Sequence, residues 1–588
     1  MPTSFSLSNF KGFKELKSVD IKPLTVICGT NNSGKSSLIQ SLLLMKQSNL
    51  ENTKVPLNTY IQEPLIFNGL YAHLGSYLDV VHSHSGEKEI RFSWKVSNEV
   101  QETRFYRSEI SVGIKNIELE NSNNQTVVGE FLFQNFTKNF SMGIVRLSNN
   151  NYKLSFKNIS LEDFLLKWIY TRYNYYYYSS YTTKIVDLVK KFSSTKFFQE
   201  RCIKEVSFND VQVKFEGVFP SKIVIKNFAK QSHNILKGIK QGLSSLTGVK
   251  IPKYLSQFLE MTINDLDTYN KKYSSRRDKS TASDDSEDVD LSLSTSKNEN
   301  PFLCINKEAS LLDHYASYRA TVLFLRKLWS GFRYIGLIRE APKRFYLFDD
   351  LRRIDIGING EYTPLVLAVE QETTVPKYYR CIYEGKHIKN YELREQDKLL
   401  ESVNWWLSDC MKLPQIYSVA GLRGVINQVR LNSLGVEVDL PDLGFGVSQI
   451  LPILVECLRT AERETIILEQ PEIHLHPSLQ SKLADFFICM AKSGKNLVIE
   501  THSEHLINRL CLRIAQEESN DTRNLINILF ISFDEQNKTS ISRLVEINKY
   551  GEIENWPVGF FDDNDSRDLL AATLKKRMSN TDTNEKVP

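Results

Sequence analysis

The clearest chemical motif in the chain is a glycine-rich loop near its amino terminus. Residues 29–36 read Gly-Thr-Asn-Asn-Ser-Gly-Lys-Ser, which matches the pattern G-x4-G-K-[ST] without a mismatch. In such a loop the backbone N–H groups point at phosphate oxygens, the lysine reaches the β and γ phosphates, and the serine hydroxyl binds Mg²⁺. The sequence therefore predicts a nucleoside triphosphate site made of Gly29, Thr30, Asn31, Asn32, Ser33, Gly34, Lys35, Ser36 and Ser37.

A phosphate-binding loop also needs a carboxylate at the end of a neighbouring strand, to complete the Mg²⁺ shell. The apolar run 466–468 ends in Glu469, and Gln470, Pro471 and Glu472 follow directly. We therefore predict that Glu469 binds Mg²⁺ together with Ser36. A second apolar run, 497–499, ends in the polar residues 500–503, which include His502.

A third glycine-rich segment lies upstream of these runs. Residues 443–449 read Leu-Gly-Phe-Gly-Val-Ser-Gln and stand before an apolar helix-length segment, 450–458. The N-terminus of a helix presents free N–H groups and the positive end of the helix dipole. The segment therefore predicts a second anion site.

The strand and helix patterns divide the chain into five parts. Apolar strands at 465–468, 496–499 and 526–533 alternate with helix-length segments, which predicts a parallel α/β sheet. Residues 90–159 alternate polar and apolar side chains, which is typical of an antiparallel meander. Helical spacing dominates 161–326, and the Ser/Asp/Glu-rich residues 274–300 predict a disordered segment. The predicted parts are 1–90 (which contains the glycine-rich loop), 91–160 (meander), 161–330 (helical insertion), 331–562 (which contains the acidic strand ends and belongs with 1–90) and 563–588 (polar tail).

Composition excludes several classes of protein. The chain has 588 residues, of which 24% are charged and 41% hydrophobic, the balance of a globular protein. With 74 basic and 70 acidic residues, any nucleic-acid surface must be local. No apolar stretch approaches the roughly 18 residues that span a bilayer. The eight cysteines form no CxxC pair, so we expect a cytoplasmic protein without a disulfide scaffold or zinc module.

Three weaker patterns can each be interpreted in more than one way. Residues 217–259 contain seven lysines, no acidic residue and aromatics such as Phe219, so they could bind nucleic acid or form a solvated helical face. The tyrosine-rich tract 170–181 could bind a partner or another copy, or pack in a core or an edge strand. The histidines at 474, 476, 502 and 505 could bind a metal, but no other ligand type lies at metal-site spacing.

Together these motifs resemble the ABC/SMC-like P-loop ATPase head, a branch of the AAA-type ATPases. More closely, they resemble the OLD (overcoming-lysogenisation-defect) ATPases and the Septu-system ATPases of bacterial phage defence. Residues 7–13 look like that family's first strand, residues 472–477 like its D-loop, and residues 556–562 like the closing signature of a bacterial subfamily. The resemblance covers about residues 1–90 and 330–562.

The resemblance implies an α/β fold, in which an ABC/SMC-like ATPase head with a mixed sheet is interrupted by a β meander and a mainly helical insertion. It implies that two heads dimerise head to tail and enclose ATP and Mg²⁺. Glu469 would be the Walker B carboxylate and His502 the switch histidine. The residues implied to contact the nucleotide of the other copy are Gly444, Gly446, Ser448 and Gln449.

Two departures from the family pattern bear on turnover. Gln470 stands where the family has the glutamate that acts as general base, and an amide cannot accept the proton. Either Glu472 takes that role or hydrolysis is slow. The signature Gly446-Val-Ser-Gln differs from the usual Ser-Gly-Gly-Gln, so the hydroxyl of Ser448 would be displaced by two positions.

The resemblance implies a regulatory ATPase whose head dimerisation controls a separate effector, a nuclease or a toxin, in phage defence. A separate effector is expected because no nuclease motif follows the head. One alternative is an ATPase of the SMC/RecF type that acts directly on DNA in repair. The other is a nucleotide-dependent scaffold with little or no hydrolysis.

Overall fold

The protein is described here by a computed structural model. The structure describes residues 2–52, 63–84, 88–99, 105–118, 124–137, 139–148, 151–160, 202–225, 289–292, 310–347, 355–385, 387–422, 426–433, 435–517 and 519–555, with the single residues 231, 234, 237 and 557.

Twenty-two strands and nine α-helices are assigned within these ranges. The strands are β1 (Pro2–Phe10), β2 (Phe13–Asp20), β3 (Leu24–Gly29), β4 (Ile90–Glu99), β5 (Phe105–Glu118), β6 (Asn124–Asn135), β7 (Phe140–Ser148), β8 (Asn151–Ser160), β9 (Cys202–Glu216), β10 (Phe219–Ile225), β11 (Val289–Ser292), β12 (Phe332–Ile335), β13 (Tyr346–Leu347), β14 (Tyr378–Glu384), β15 (His387–Arg394), β16 (Gln415–Leu422), β17 (Ile426–Ser433), β18 (Val436–Asp439), β19 (Thr465–Glu469), β20 (Asn496–Glu500), β21 (Ile526–Asp534) and β22 (Thr539–Val545). The helices are α1 (Lys35–Asn52), α2 (Tyr77–Val80), α3 (Ser310–Ser330), α4 (Thr363–Glu370), α5 (Leu399–Trp405), α6 (Phe445–Arg459), α7 (Pro477–Lys492), α8 (Glu504–Gln516) and α9 (Asp521–Leu525).

Two large sheets organise the molecule. One has six strands in the order β12-β19-β20-β3-β21-β22, parallel except for the last strand. The other has ten antiparallel strands in the order β11-β10-β9-β8-β7-β6-β5-β4-β1-β2. The smaller sheets are β13-β17-β16 with β18, and the hairpin β14-β15. The predicted parallel sheet and antiparallel meander are therefore both present.

Helices fill the space between the sheets and cover the outer face of the parallel sheet. One apolar core contains side chains of α1 and α3 together with residues of both sheets, for example Phe92 and Ile467. A second core packs α5, α6, α7 and α8 against the other face of the parallel sheet, for example Trp406 on Phe486 with ring centroids 4.8 Å apart. The central strands β3, β19 and β20 are buried on both faces, which explains why they read as continuous apolar runs.

Helix α3 packs against the ten-stranded sheet through apolar and polar contacts. Tyr318 lies edge-on to Phe133, with ring centroids 5.4 Å apart. Ser108 and Thr321 share a hydrogen bond of 2.8 Å. Trp329 stacks on Phe219 at 5.4 Å. These contacts fix α3 on strands β5, β6 and β10 of the ten-stranded sheet.

Strands from the two ends of the chain build one unit. The turn between β1 and β2 contacts β22, because the Ser540 N–H donates to the Gly12 carbonyl at 2.7 Å. The Lys14 N–H donates to Thr539 Oγ1 at 2.9 Å. Strands β2 and β22, whose contacting residues are more than 500 positions apart in the chain, therefore lie together beside the phosphate loop.

The structure corrects several expectations about the insertion. Strands β9 and β10 lie where helix was predicted, and they continue the antiparallel sheet beyond β8. Strand β11 lies inside the segment predicted to be disordered and pairs with β10. Phe219 is buried against Trp329, so it is not available to stack on bases. The tyrosine-rich tract and most of the lysine-rich stretch lie outside the described residues, and the five-part division of the chain stays a prediction.

No helix in the part of the chain that the structure describes is long and apolar enough to cross a membrane.

Candidate active site

The phosphate loop follows β3 and leads directly into α1, as predicted. Gly29 has φ +142°, and a Cβ at this position would lie 1.9 Å from the Ile531 carbonyl oxygen on the neighbouring strand. Gly34 has φ +104°, and its Cβ would lie 2.6 Å from Ser540 Oγ. Side chains are therefore excluded at both glycines, by backbone conformation and by lack of space.

Lys35 lies across the loop. Its ammonium group donates to the Thr30 carbonyl at 2.6 Å and to the Gly29 carbonyl at 3.3 Å, and the residue is buried. Burial lowers the pKa of Lys35, and the negative charge of Glu500 partly offsets this effect. Ser36, one residue further on, is exposed. A cation and an exposed serine thus stand at the first turn of α1.

The acidic residues that end β19 and β20, of which only Glu469 was predicted as a site residue, lie at the same edge of the sheet. Glu469 and Glu500 are directly paired across β19 and β20, and Glu500 is paired with Ile27 on β3. Paired residues of adjacent strands point to the same face. Glu469 and Glu500 are therefore neighbours beside the phosphate loop.

Glu500 is a site residue that the sequence reading did not single out. It is 2% exposed, and Ser36 Oγ donates to its two carboxylate oxygens at 3.2 and 3.3 Å. Burial and the negative charge of Glu469 raise the pKa of Glu500 to about 7. Its position at the carboxyl end of an apolar strand, like that of Glu469, is the signal that could have identified it.

Glu469 is the last residue of β19, which lies between β12 and β20 in the sheet. Tyr334 on β12 donates a hydrogen bond to Glu469 Oε1 at 3.1 Å. Burial raises the pKa of Glu469, and the hydrogen bond from Tyr334 and the charge of Arg339 reduce this shift. Tyr334 is thus a second contact that the sequence reading did not assign to the site.

Arg339 holds the backbone that follows Glu469. Its guanidinium donates to the Glu469 carbonyl at 2.9 Å and to the Gln470 carbonyl at 3.0 Å, and the residue is 4% exposed. Gln470 has φ +39°, and its N–H donates to the Glu500 carbonyl at 2.7 Å. Arg339 is thus bound to backbone carbonyls, a contact that none of the sequence motifs predicted.

Glu472 and His502 are also adjacent. The His502 N–H donates to Glu472 Oε1 at 2.7 Å, and Glu472 is buried. Burial raises the pKa of Glu472, against the effect of this hydrogen bond. The His502 side chain is exposed, and desolvation together with the charge of Lys35 lowers its pKa.

The predicted signature segment forms the start of α6. Gly444 precedes the helix with φ +77° and is exposed, while Ser448 and Gln449 are buried. A Cβ on Gly446 would lie 3.9 Å from the His474 carbonyl oxygen, so this helix start is beside the loop after β19. The Ser448 hydroxyl was expected to contact the nucleotide of the other copy, and its burial in this conformation does not fit that role. Gly444 is accessible.

Of the other histidines considered as metal ligands, His474 and His476 belong to the loop before α7, and His505 lies in α8. His476 is the N-cap of that helix, and its ring accepts from the Ser478 N–H at 3.3 Å. His474 is exposed with φ +61°. Over the described ranges, no group of three or more His, Cys, Asp and Glu side chains could hold a metal ion.

The oxygen atoms at the strand ends nevertheless suit Mg²⁺ bound with a nucleotide. Mg²⁺ usually takes one or two carboxylates, several waters and phosphate oxygens, and does not need an all-protein cage. Ser36, Glu469 and Glu500 supply a hydroxyl and two carboxylates of this kind. When bound, the ion would neutralise charge on the phosphates.

Comparison with known families agrees with this geometry. The AAA ATPase domain family matches residues 1–507. The chain belongs to this family. Residues 522–569 of this AAA ATPase also match the family described as protein of unknown function (DUF3696). Among curated proteins, no sequence matches the chain.

The solved structures similar to this AAA ATPase include heads of SMC proteins. The SMC head domain of Pyrococcus furiosus with an extended coiled coil, bound to the C-terminal domain of ScpA, shares 9% identity and a TM-score of 0.31, over 92% of this chain and 96% of that chain. The SMC head domain from Thermotoga maritima shares 9% identity and a TM-score of 0.30, over 93% of this chain and 99% of that chain. The family match and the phosphate loop between β3 and α1 make the chain a P-loop ATPase of mixed α/β content, built on a largely parallel six-stranded sheet.

Proposed function

We propose that the protein binds and hydrolyses ATP with Mg²⁺, and that two copies close head to tail around the nucleotide. The observation that carries this proposal is the contact between Ser36 and Glu500, which are 464 residues apart in the chain. This contact brings the phosphate loop to the carboxyl ends of β19 and β20, two apolar strands that each end in a glutamate. This arrangement is the one that MgATP requires, with a lysine and a hydroxyl on one side and carboxylates on the other.

The exposed start of α6 supports the closure of two copies. Helix α6 runs back to the start of β19, so its N-terminus lies at the same edge of the sheet as Glu469. Gly444 is exposed there, and the free N–H groups of a 15-residue helix attract an anion. A second copy, turned by a two-fold axis, would bring this helix start to the γ-phosphate bound by Lys35 of the first.

The proposed output of closure is control of a separate effector protein, a nuclease or a toxin, in a defence system against phage. This part rests on the resemblance to OLD and Septu ATPases. Closure would move the ten-stranded sheet with the head, because β1 and β2 are part of that sheet and also contact β22. A partner bound to the insertion would then respond to nucleotide.

The test measures nucleotide affinity by calorimetry and mass by light scattering, for the full chain with and without MgATP. Lys35→Ala is expected to weaken ATP binding at least about tenfold, or about 1.4 kcal/mol, and to abolish nucleotide-dependent dimerisation. Lys377→Ala is the matched control, because its side chain is 53% exposed and pairs with Glu462 at the surface. Wild-type protein without affinity for ATP, or a Lys35→Ala variant that behaves like wild type, would contradict the proposal.

One observation favours the scaffold alternative, in which nucleotide holds the dimer and is scarcely hydrolysed. Gln470 occupies the position next to Glu469 where a general base is expected, and its amide cannot accept a proton. Measured turnover decides between the two. A wild-type rate equal to that of Lys35→Ala, with nucleotide binding intact, would establish the scaffold. A wild-type rate well above it would exclude the scaffold.

A further inference from the structure

We propose that Glu500 is a direct ligand of the Mg²⁺ ion that accompanies the nucleotide, so that Ser36, Glu469 and Glu500 hold this ion together. The proposal rests on the proposed ATP binding. The loop motif accounts for Ser36 and the Walker B strand for Glu469, but neither includes Glu500. The proposal gives this buried carboxylate a role.

The spacing of the oxygen atoms fits this role. Two neighbouring ligands of an octahedral Mg²⁺, each about 2.1 Å from the ion, are about 3.0 Å apart. Ser36 Oγ lies 3.2 and 3.3 Å from the two oxygens of Glu500. An optimised hydroxyl–carboxylate hydrogen bond is shorter, about 2.5–2.7 Å. The pair is therefore spaced more like two ligands of one ion than like a tight hydrogen bond.

The charge distribution points the same way. Glu469 and Glu500 are directly paired on adjacent strands, and Glu500 is almost completely buried. Two neighbouring carboxylates that have lost much of their hydration repel each other, and either a proton on one of them or a cation between them relieves the repulsion. Lys35 is the nearby cation, but its ammonium donates to loop carbonyls. A divalent ion between the carboxylates would compensate both charges.

The alternative is that Glu500 only orients the Ser36 hydroxyl through a hydrogen bond. The variant Glu500→Gln separates the two roles, because the amide oxygen still accepts a hydrogen bond but carries no charge. Glu504→Gln is the matched control, since Glu504 lies four residues away on α8 and accepts a hydrogen bond from Asn508 at 3.0 Å, outside the loop.

The experiment measures Mn²⁺ binding to the full chain by the EPR signal of free Mn²⁺, in the presence of a saturating non-hydrolysable ATP analogue. Nucleotide affinity in EDTA is measured in parallel. Even partners behind the ligands change metal affinity by about 10–100-fold, so Glu500→Gln is expected to weaken Mn²⁺ binding at least about tenfold. Its nucleotide affinity in EDTA should not fall, and Glu504→Gln should match wild type.

The outcomes separate this inference from the proposed function. Mn²⁺ affinity within about twofold of wild type in a folded Glu500→Gln variant would overturn the inference and leave ATP binding intact. Wild-type protein that binds no nucleotide would overturn both. If Glu500→Gln does not fold, Glu500→Asp decides, because it keeps the charge but withdraws the carboxylate by one methylene. A clear loss of Mn²⁺ affinity supports the role as a ligand, and an unchanged affinity overturns it.

Discussion

Replacing Arg339 by methionine is expected to destabilise the loop after β19 and to change the pH dependence of ATP turnover. Arg339 is 4% exposed and donates to the carbonyls of Glu469 and Gln470 at 2.9 and 3.0 Å. It also contributes positive charge near Glu469 and Glu472. Methionine keeps much of the volume but removes both hydrogen bonds and the charge.

The magnitude follows from these contacts. A hydrogen bond from a charged donor contributes about 1.5–3 kcal/mol, so the loss of two costs about 3–6 kcal/mol. Removing the guanidinium also removes the cost of burying it, a cost that lowers the pKa of Arg339 to about 10. We expect a net loss of about 2 kcal/mol or more, which corresponds to a fall in Tm of about 4–8 °C in a cooperative unit of about 150–250 residues and proportionally less in a larger one.

Arg344→Met provides the matched control in the same segment. The Arg344 side chain is 57% exposed and pairs with Asp439 and Asp442 at the surface. Exposed pairs of this kind contribute about 0.2–1 kcal/mol. Thermal unfolding of both variants therefore compares one arginine with another, and a Tm for Arg339→Met no lower than that for Arg344→Met would refute the reasoning.

The pH profile gives a second readout. Because Arg339 lowers the pKa of Glu469 and of Glu472, its removal raises both values, and the carboxylates become protonated at a higher pH. The acidic limb of the turnover profile should therefore move to higher pH in Arg339→Met. In Arg339→Lys the charge remains but the two-point contact is lost, so Tm should fall while the acidic limb stays near that of wild type. An acidic limb that does not move in Arg339→Met would contradict the assigned electrostatic effect.

Two further substitutions test other parts of the head. Gln470→Glu is expected to raise ATP turnover at least about tenfold, because a positioned general base contributes about 10²–10⁴-fold. Single-turnover kinetics would measure the rate. An unchanged rate would assign the base to Glu472. Asp485→Asn is expected to cost about 3–5 kcal/mol in unfolding free energy, because Asp485 is fully buried and paired with Arg509 and Arg513 at 2.8 and 2.6 Å. Burial alone would raise the pKa of Asp485, but the bonds from the arginines outweigh it and hold the pKa below its ordinary value. The difference in unfolding free energy between wild type and Asp485→Asn should therefore have its full value above about pH 4 and become smaller as the pH falls further. A difference that stays constant in acid would be inconsistent with the ion pair.

Elements with a strong local sequence pattern were predicted correctly, whereas segments whose conformation depends on pairing with other strands were not. The residues that form the phosphate loop and the three parallel strands were predicted because apolar runs, glycine positions and helical spacing are local patterns. A helix was also predicted after the segment 443–449, but α6 begins at Phe445, so Gly446, Ser448 and Gln449 lie in its first turns. In contrast, residues 202–225 were predicted as helix and form strands β9 and β10, because pairing with β8 decides the conformation of a segment whose own pattern is weak.

The sequence by itself determined that a phosphate loop precedes a helix and that acidic residues end two buried strands. It did not determine which acid faces the loop. The register of β3, β19 and β20 places Glu500 against Ser36 and beside Glu469, and it brings Arg339 to the backbone of Gln470. These contacts join residues from opposite ends of the chain, so only the packing of the whole sheet could fix them. Local side-chain patterns therefore specify the elements of this site, and the tertiary structure specifies which atoms meet.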